Sequence, residues 1–166
     1  TYLAGLGHRR IALLNGEPGF MFPVGCREGY ESGLFLSGFE LDPDLIREWK
    51  HKDPSQSSCR WTLELFKNEN PPTAILFQTE AVNGIFKGLD ELDLQPGKDV
   101  ALIGYDDLEI ARIHRPSLSV LRPQAREAGQ RVVNILMEVI KGEDPGKFQE
   151  IHQVEMVIRE TSLPPS

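Results

Sequence analysis

At 166 residues the chain is long enough for one ordinary domain with a real core, and short for two. Its 40% apolar and 26% charged residues give the balance of a globular protein, and no apolar run approaches the roughly 18 residues of a membrane helix. The net charge of −7, with 18 basic residues scattered and Arg9-Arg10 their densest cluster, excludes these residues as a grip on a phosphate backbone.

Thr1 to Gly5 reads as the tail of a helix. Ile11-Ala12-Leu13-Leu14, closed by the turn signal Asn15-Gly16, predicts a buried strand, and Glu17-Pro18-Gly19 a loop. From Pro23 to about Ser37, Val24, Tyr30, Leu34 and Phe35 share a helical face, with Gly38 as the stop. Gly25, Gly29 and Gly33 lower its helix propensity and, spaced four apart, offer a smooth stripe for a closely packed neighbour. Leu45 to Trp49 fits a second strand. Ser55 to Ser58 supply N-cap candidates for a helix that carries Trp61, Leu63, Leu65 and Phe66 and ends near Asn68, before Pro71-Pro72.

Thr73 to Phe77 is a continuous apolar strand, and a helix from about Glu80 to Glu91 follows it. After the turn Gln95-Pro96-Gly97 comes another apolar strand, Val100 to Ile103, and then Leu118 to Leu121. The longest helix runs from about Gln124 to Lys141, with Val132, Val133, Leu136 and Ile140 at helical spacing and Gly142 as its end. Ile151 to Arg159 alternates, which predicts a strand with one exposed face near a sheet edge. Strands apolar on both faces, alternating with helices, define the fold class: α/β, a parallel sheet flanked by helices on both faces.

In such sheets ligands bind outside the carboxyl ends of the strands. Asn15, Gln78-Thr79 and Asp106-Asp107 stand at three of those ends and suit a polyhydroxylated ligand, while Phe20, Phe22 and Tyr105 offer an apolar wall. Catalysis has no positive support. Adjacent Asp106 and Asp107 diverge in a loop, and neither a Gly-x-Ser-x-Gly elbow nor a phosphate loop is present. His8, His51, His114 and His152 lack metal-ligand spacing; Cys26 and Cys59 read as unpaired thiols of a reducing compartment. No cofactor and no metal are expected. Trp49 and Trp61 read as packing residues.

The ordered segments Leu6-Gly7-His8-Arg9-Arg10-Ile11-Ala12, Arg27-Glu28-Gly29-Tyr30, Pro72-Thr73-Ala74-Ile75, Pro96-Gly97-Lys98-Asp99-Val100, Ile103-Gly104-Tyr105-Asp106-Asp107 and Pro116-Ser117-Leu118-Ser119-Val120 resemble the second half of LacI/GalR-type transcription regulators. The helix containing Gly129 and the ending Val157-Ile158-Arg159-Glu160-Thr161-Ser162 extend the resemblance over nearly the whole chain. It implies a partial fold of the periplasmic-binding-protein-like type I. Residues 1–121 would be the second subdomain of an effector domain, 122–146 a crossover helix of the first, and 147–166 the return strand and tail. The DNA-binding head would lie outside the chain.

The resemblance further implies a cytoplasmic homodimeric repressor or regulator, not an enzyme, that binds a sugar or similar polar effector in a cleft. Operator DNA would be met only through the missing helix-turn-helix head. Asp106 matches the family's hydroxyl-binding carboxylate; helix capping is the other reading for it and for Asp107. Gln78, Arg27, Phe20, Phe22 and Tyr105 complete the expected ligand-binding set. Cys26 stands where the family places a sugar-gripping arginine, and Arg27, one step along the helix, points about 100° away, toward the cleft from another angle or to solvent. Gln78-Thr79 replaces Asn-Asp, and Pro123-Gln124 reverses Gln-Pro. These departures leave a small polar effector but open the sugar assignment. A periplasmic solute-binding protein and a small α/β enzyme are the alternative readings.

Overall fold

The apolar runs become strands of one sheet in the computed structural model of the chain, which describes residues 1–49, 53–162 and 164. His51 lies outside those residues. The strands are β1 (Ile11–Asn15), β2 (Ile46–Glu48), β3 (Ala74–Gln78), β4 (Ala101–Tyr105), β5 (Ser119–Arg122) and β6 (Glu155–Val157), in the order β2-β1-β3-β4-β5-β6. β1 to β5 run parallel, and β6 closes the sheet antiparallel to β5. The helices are α1 (Tyr2–Gly5), α2 (Met21–Leu36), α3 (Pro54–Phe66), α4 (Val82–Asp90), α5 (Glu109–Ile113) and α6 (Ala125–Ile140). The expected α/β architecture, a mostly parallel sheet with helices on both faces, is what forms.

Side chains alternate between the faces of each strand, so the runs split into two cores. On one face Ala12, Leu14, Ile75, Phe77, Leu102 and Val120 meet Trp61 and Leu65 of α3 and Val82, Ile85 and Leu89 of α4. Trp49 stacks on Trp61 with ring centroids 6.1 Å apart, packed against that core as expected. On the other face Ile11, Leu13, Ala74, Ala101 and Ile103 meet Leu3 of α1 and Tyr30 and Leu34 of α2. α2 leaves part of this face open, as a groove of about 900 Å³ floored by Leu13, Leu76, Ile103 and Leu121.

Several boundaries differ from expectation for local reasons. α2 begins at Met21 rather than Pro23, which puts Pro23 in its first turn, where a missing N–H costs nothing. α3 is capped by Asp53, whose carboxylate accepts from the Gln56 N–H at 2.8 Å, with Pro54 in the first turn; the serines expected to cap it lie inside the helix. β2 loses Leu45 to a tight turn over Pro43–Leu45, capped by Asp42. The strand expected over Ile151 to Arg159 contracts to Glu155–Val157, the only residues in register with β5, and Ile151 is 98% exposed. α6 has the predicted extent and apolar stripe but no buried residue.

Candidate functional site

The strand order places β2 and β3 on opposite sides of β1, so the connections leaving the carboxyl ends of β1 and β3 diverge and open a crevice between them. Asn15 and Gln78, the last residues of those strands, meet across it. The Gln78 Nε2 donates to Asn15 Oδ1 at 3.4 Å, and Asn15 Nδ2 donates to the Pro23 carbonyl at 2.8 Å. Gly16 makes room for this, since a Cβ there would stand 2.8 Å from Gln78 Nε2. Asn15 is thereby committed to holding the start of α2, whereas Gln78 is half-buried with its amide at the groove.

Beside Gln78, β4 ends in a strained turn. Gly104 is required because a Cβ would lie 2.5 Å from Thr79 Oγ1 and 2.9 Å from Leu118 Cδ2. Thr79, fully buried, shares its hydroxyl proton between the carbonyls of Tyr105 and Asp106, 2.7 and 2.8 Å away. Asp106 takes φ +85°, a left-handed conformation that costs a non-glycine residue energy and persists only where the surroundings enforce it. Thr79 and the Asp106 N–H bond to the Leu121 carbonyl enforce it here. The carboxylate of Asp106 is turned out to the exposed edge, and its side chain makes no hydrogen bond or ion pair among the described residues.

Asp107 is built in the opposite way. Its side chain is 3% exposed and takes Arg112 at 2.7 Å, Arg159 at 2.8 Å and Arg122 at 3.2 Å; Arg122 also pairs with Glu155 across the β5–β6 ladder at 2.9 Å. Burial pushes this carboxyl up, but the hydrogen bonds and charges of Arg112 and Arg159 outweigh it and hold it below the usual carboxylate range. Neither aspartate caps α5, whose N-cap is Leu108 with no side-chain cap bond. The capping alternative is corrected accordingly: Asp107 is an ion-pair hub.

Of the expected aromatic wall, Phe22 and Tyr105 meet edge to face at 4.7 Å, and both line the groove with Cys26 and Met21. Phe20 stands at the N-cap of α2, 61% exposed. Burial, then the proximity of Cys26 and Asp106, pushes the Tyr105 phenol above its ordinary value, and burial does the same to the Cys26 thiol. Arg27 sits apart from this group: its guanidinium donates to Glu31 at 2.9 Å and to Glu48 of β2 at 3.2 Å. The structure therefore gathers Gln78, Phe22, Tyr105 and Asp106 at one edge, with Cys26 added. Two of the partners of Asp107, Arg122 and Arg159, escaped the sequence reading because they lie 15 and 52 residues away. Among the described residues no cluster of three or more His, Cys, Asp or Glu suits a metal ion, and no helix is long and apolar enough to cross a membrane.

Residues 1–162 match the family model described as a periplasmic binding protein-like domain. The chain is 29% identical over 168 residues to the HTH-type transcriptional regulator AglR of Rhizobium meliloti, covering 98% of this chain and 46% of that protein. It superposes on a LacI-family regulatory protein from Chloroflexus aggregans with a TM-score of 0.88 and 27% identity, over 97% of this chain and 58% of the other. The lac repressor dimer bound to operator and the anti-inducer ONPF aligns with a TM-score of 0.84 and 26% identity, over 97% and 48% of the two chains. The chain spans about half the length of the curated relatives it matches.

Proposed function

This chain belongs to the periplasmic binding protein-like domain family, in the form carried by LacI/GalR-type transcription regulators, and we propose that it senses a small polar effector for such a regulator. The observation that carries the reading is Asp106: an exposed carboxylate without a partner among the described residues, held at positive φ at a strand end, beside Gln78 and the Phe22–Tyr105 pair. A backbone strained to present an acceptor is stability spent on binding.

Asp106 accepts hydroxyl protons of the effector, Gln78 adds an amide, and Phe20, Phe22 and Tyr105 cover its apolar face, with Arg27 on the outer rim beside Glu48. Residues 1–121 and 147–166 form one wall of a cleft, and residues 122–146 reach toward the other. Effector stabilises one closure of that cleft and so biases a homodimer between operator-binding and free states, in the cytoplasm and without catalysis.

The test is made in the full-length protein that carries these residues. Hexoses, pentoses and disaccharides are screened by thermal shift, and the tightest hit is carried into calorimetry. Asp106→Ala weakens that hit by roughly tenfold or more, the size of a charge-assisted hydrogen bond, while the variant stays folded. Unchanged affinity removes Asp106 from the site. Residues upstream of Thr1 test the regulator reading separately: a helix-turn-helix supports it, and a secretory leader in its place defeats it.

A further inference from the structure

The charges around the effector edge are unevenly spent. Arg27 on α2 is held by Glu31 and Glu48, Arg112 on α5 by Asp107, and Arg122 at the end of β5 by Asp107 and Glu155. Each of these three guanidiniums faces a carboxylate already, and none is left to meet an anion. Asp106 faces no cation among the described residues. Next to it the surface is ring and thiol: Phe22 against Tyr105, with Cys26 and Met21.

From this geometry we propose that the edge selects its effector by charge, taking a neutral or positively charged molecule with donors for Asp106 and an apolar face for the Phe22–Tyr105 pair, and rejecting anions. The inference rests on the reading of this edge as the effector site. A phosphate or carboxylate brought here would meet the Asp106 charge, while Arg27, Arg112 and Arg122 are already held by carboxylates. A hydroxyl donates to Asp106 without that penalty, and an ammonium donates while also facing the electron-rich ring surface. The carboxylate and the ring pair thus specify two halves of one ligand.

Three probes of one shape separate charge from fit: benzylamine, benzyl alcohol and benzoate. Each is titrated into 15N-labelled protein, and the amides of Phe22, Gly104, Tyr105 and Asp106 and the Gln78 side chain are followed. Benzylamine and benzyl alcohol shift these signals, benzylamine with about threefold or better affinity, and benzoate leaves them in place. In Asp106→Asn the preference for benzylamine over benzyl alcohol disappears while benzyl alcohol still binds. Benzoate shifting these signals as strongly as benzylamine overturns the proposal. A preference that survives Asp106→Asn, or silence of all three probes at these residues, overturns it too. The polyol reading fails independently, if the sugar screen yields no ligand while benzylamine still binds at Asp106.

Discussion

On one face of the sheet α3 and α4 close over Ile75, Phe77, Leu102 and Val120; on the other α2 covers Ile11 and Leu13 and a groove of about 900 Å³ stays open. The glycines of the two faces show the same contrast. At Gly84 of α4 a Cβ would lie 1.8 Å from the Ser55 carbonyl of α3, so the two helices touch backbone to backbone. At Gly25 and Gly29 of α2 a Cβ would meet nothing within 4 Å. The lesson is that glycine spacing alone does not reveal a contact. One glycine is required by its neighbour, and others of like spacing border empty space. The consecutive aspartates repeat the pattern, with Asp107 enclosed by three arginines and Asp106 open.

The sharpest way to break the contrast is Gly84→Val. Seating even its Cβ demands that α3 and α4 separate, and the expected loss is about 3 kcal/mol or more, enough to prevent folding in a marginal domain; chemical denaturation measures it. A stable, native-like variant would show that the closed face is looser than its geometry.

Asp107→Asn comes next. It leaves Arg159, 16% exposed, and two better-solvated arginines facing a neutral amide, at a cost of about 2 kcal/mol near neutral pH, below that of breaking a fully buried pair because Arg112 and Arg122 are hydrated. The pH dependence has a definite sign. The folded-state pKa of Asp107 is lowered, so its contribution is present above its unfolded value, about 3.9, and fades as pH falls through the folded value. The stability gap between wild type and variant therefore closes below roughly pH 4, and urea titrations at several pH values check it. A gap that does not change with pH would leave the hub without an electrostatic role.

The smallest effect belongs to the open face. Gly29→Ala adds a methyl where no atom stands and removes a helix-interior glycine, so it raises stability by up to about 1 kcal/mol in this chain. A drop in melting temperature instead would show that something fills the groove.

Much of the fold was legible because apolar runs of strand length alternate with helical patterns, and Ile11 to Leu14 or Val100 to Ile103 admit little else. The family-like segments were legible as a set but not in their roles. His8 Nδ1 lies 2.9 Å from the Thr73 hydroxyl, and Thr161 accepts from the Ser119 N–H and donates to the Leu102 carbonyl, so both segments are fasteners of the sheet. Ile103 to Asp107 instead brings Tyr105 to the groove and Asp106 to its exposed edge. Within it the sequence marked Asp106 without showing why: the positive φ follows from Thr79 and Leu121, which tertiary packing alone brings to the turn. Arg27 read equally as a cleft or a solvent residue, because its partner Glu48 sits 21 residues on, in β2.

β6 is three residues long, yet its register has a mechanical consequence. Arg122 is paired with Glu155, so the chain departs on its excursion through α6 and comes back at the same rung of the ladder. The excursion hangs from a two-ply strap. It cannot slide without unzipping β5 from β6. Since α6 buries nothing against the sheet, new chain ends placed in the exposed stretch 141–147 would leave every strand pairing intact.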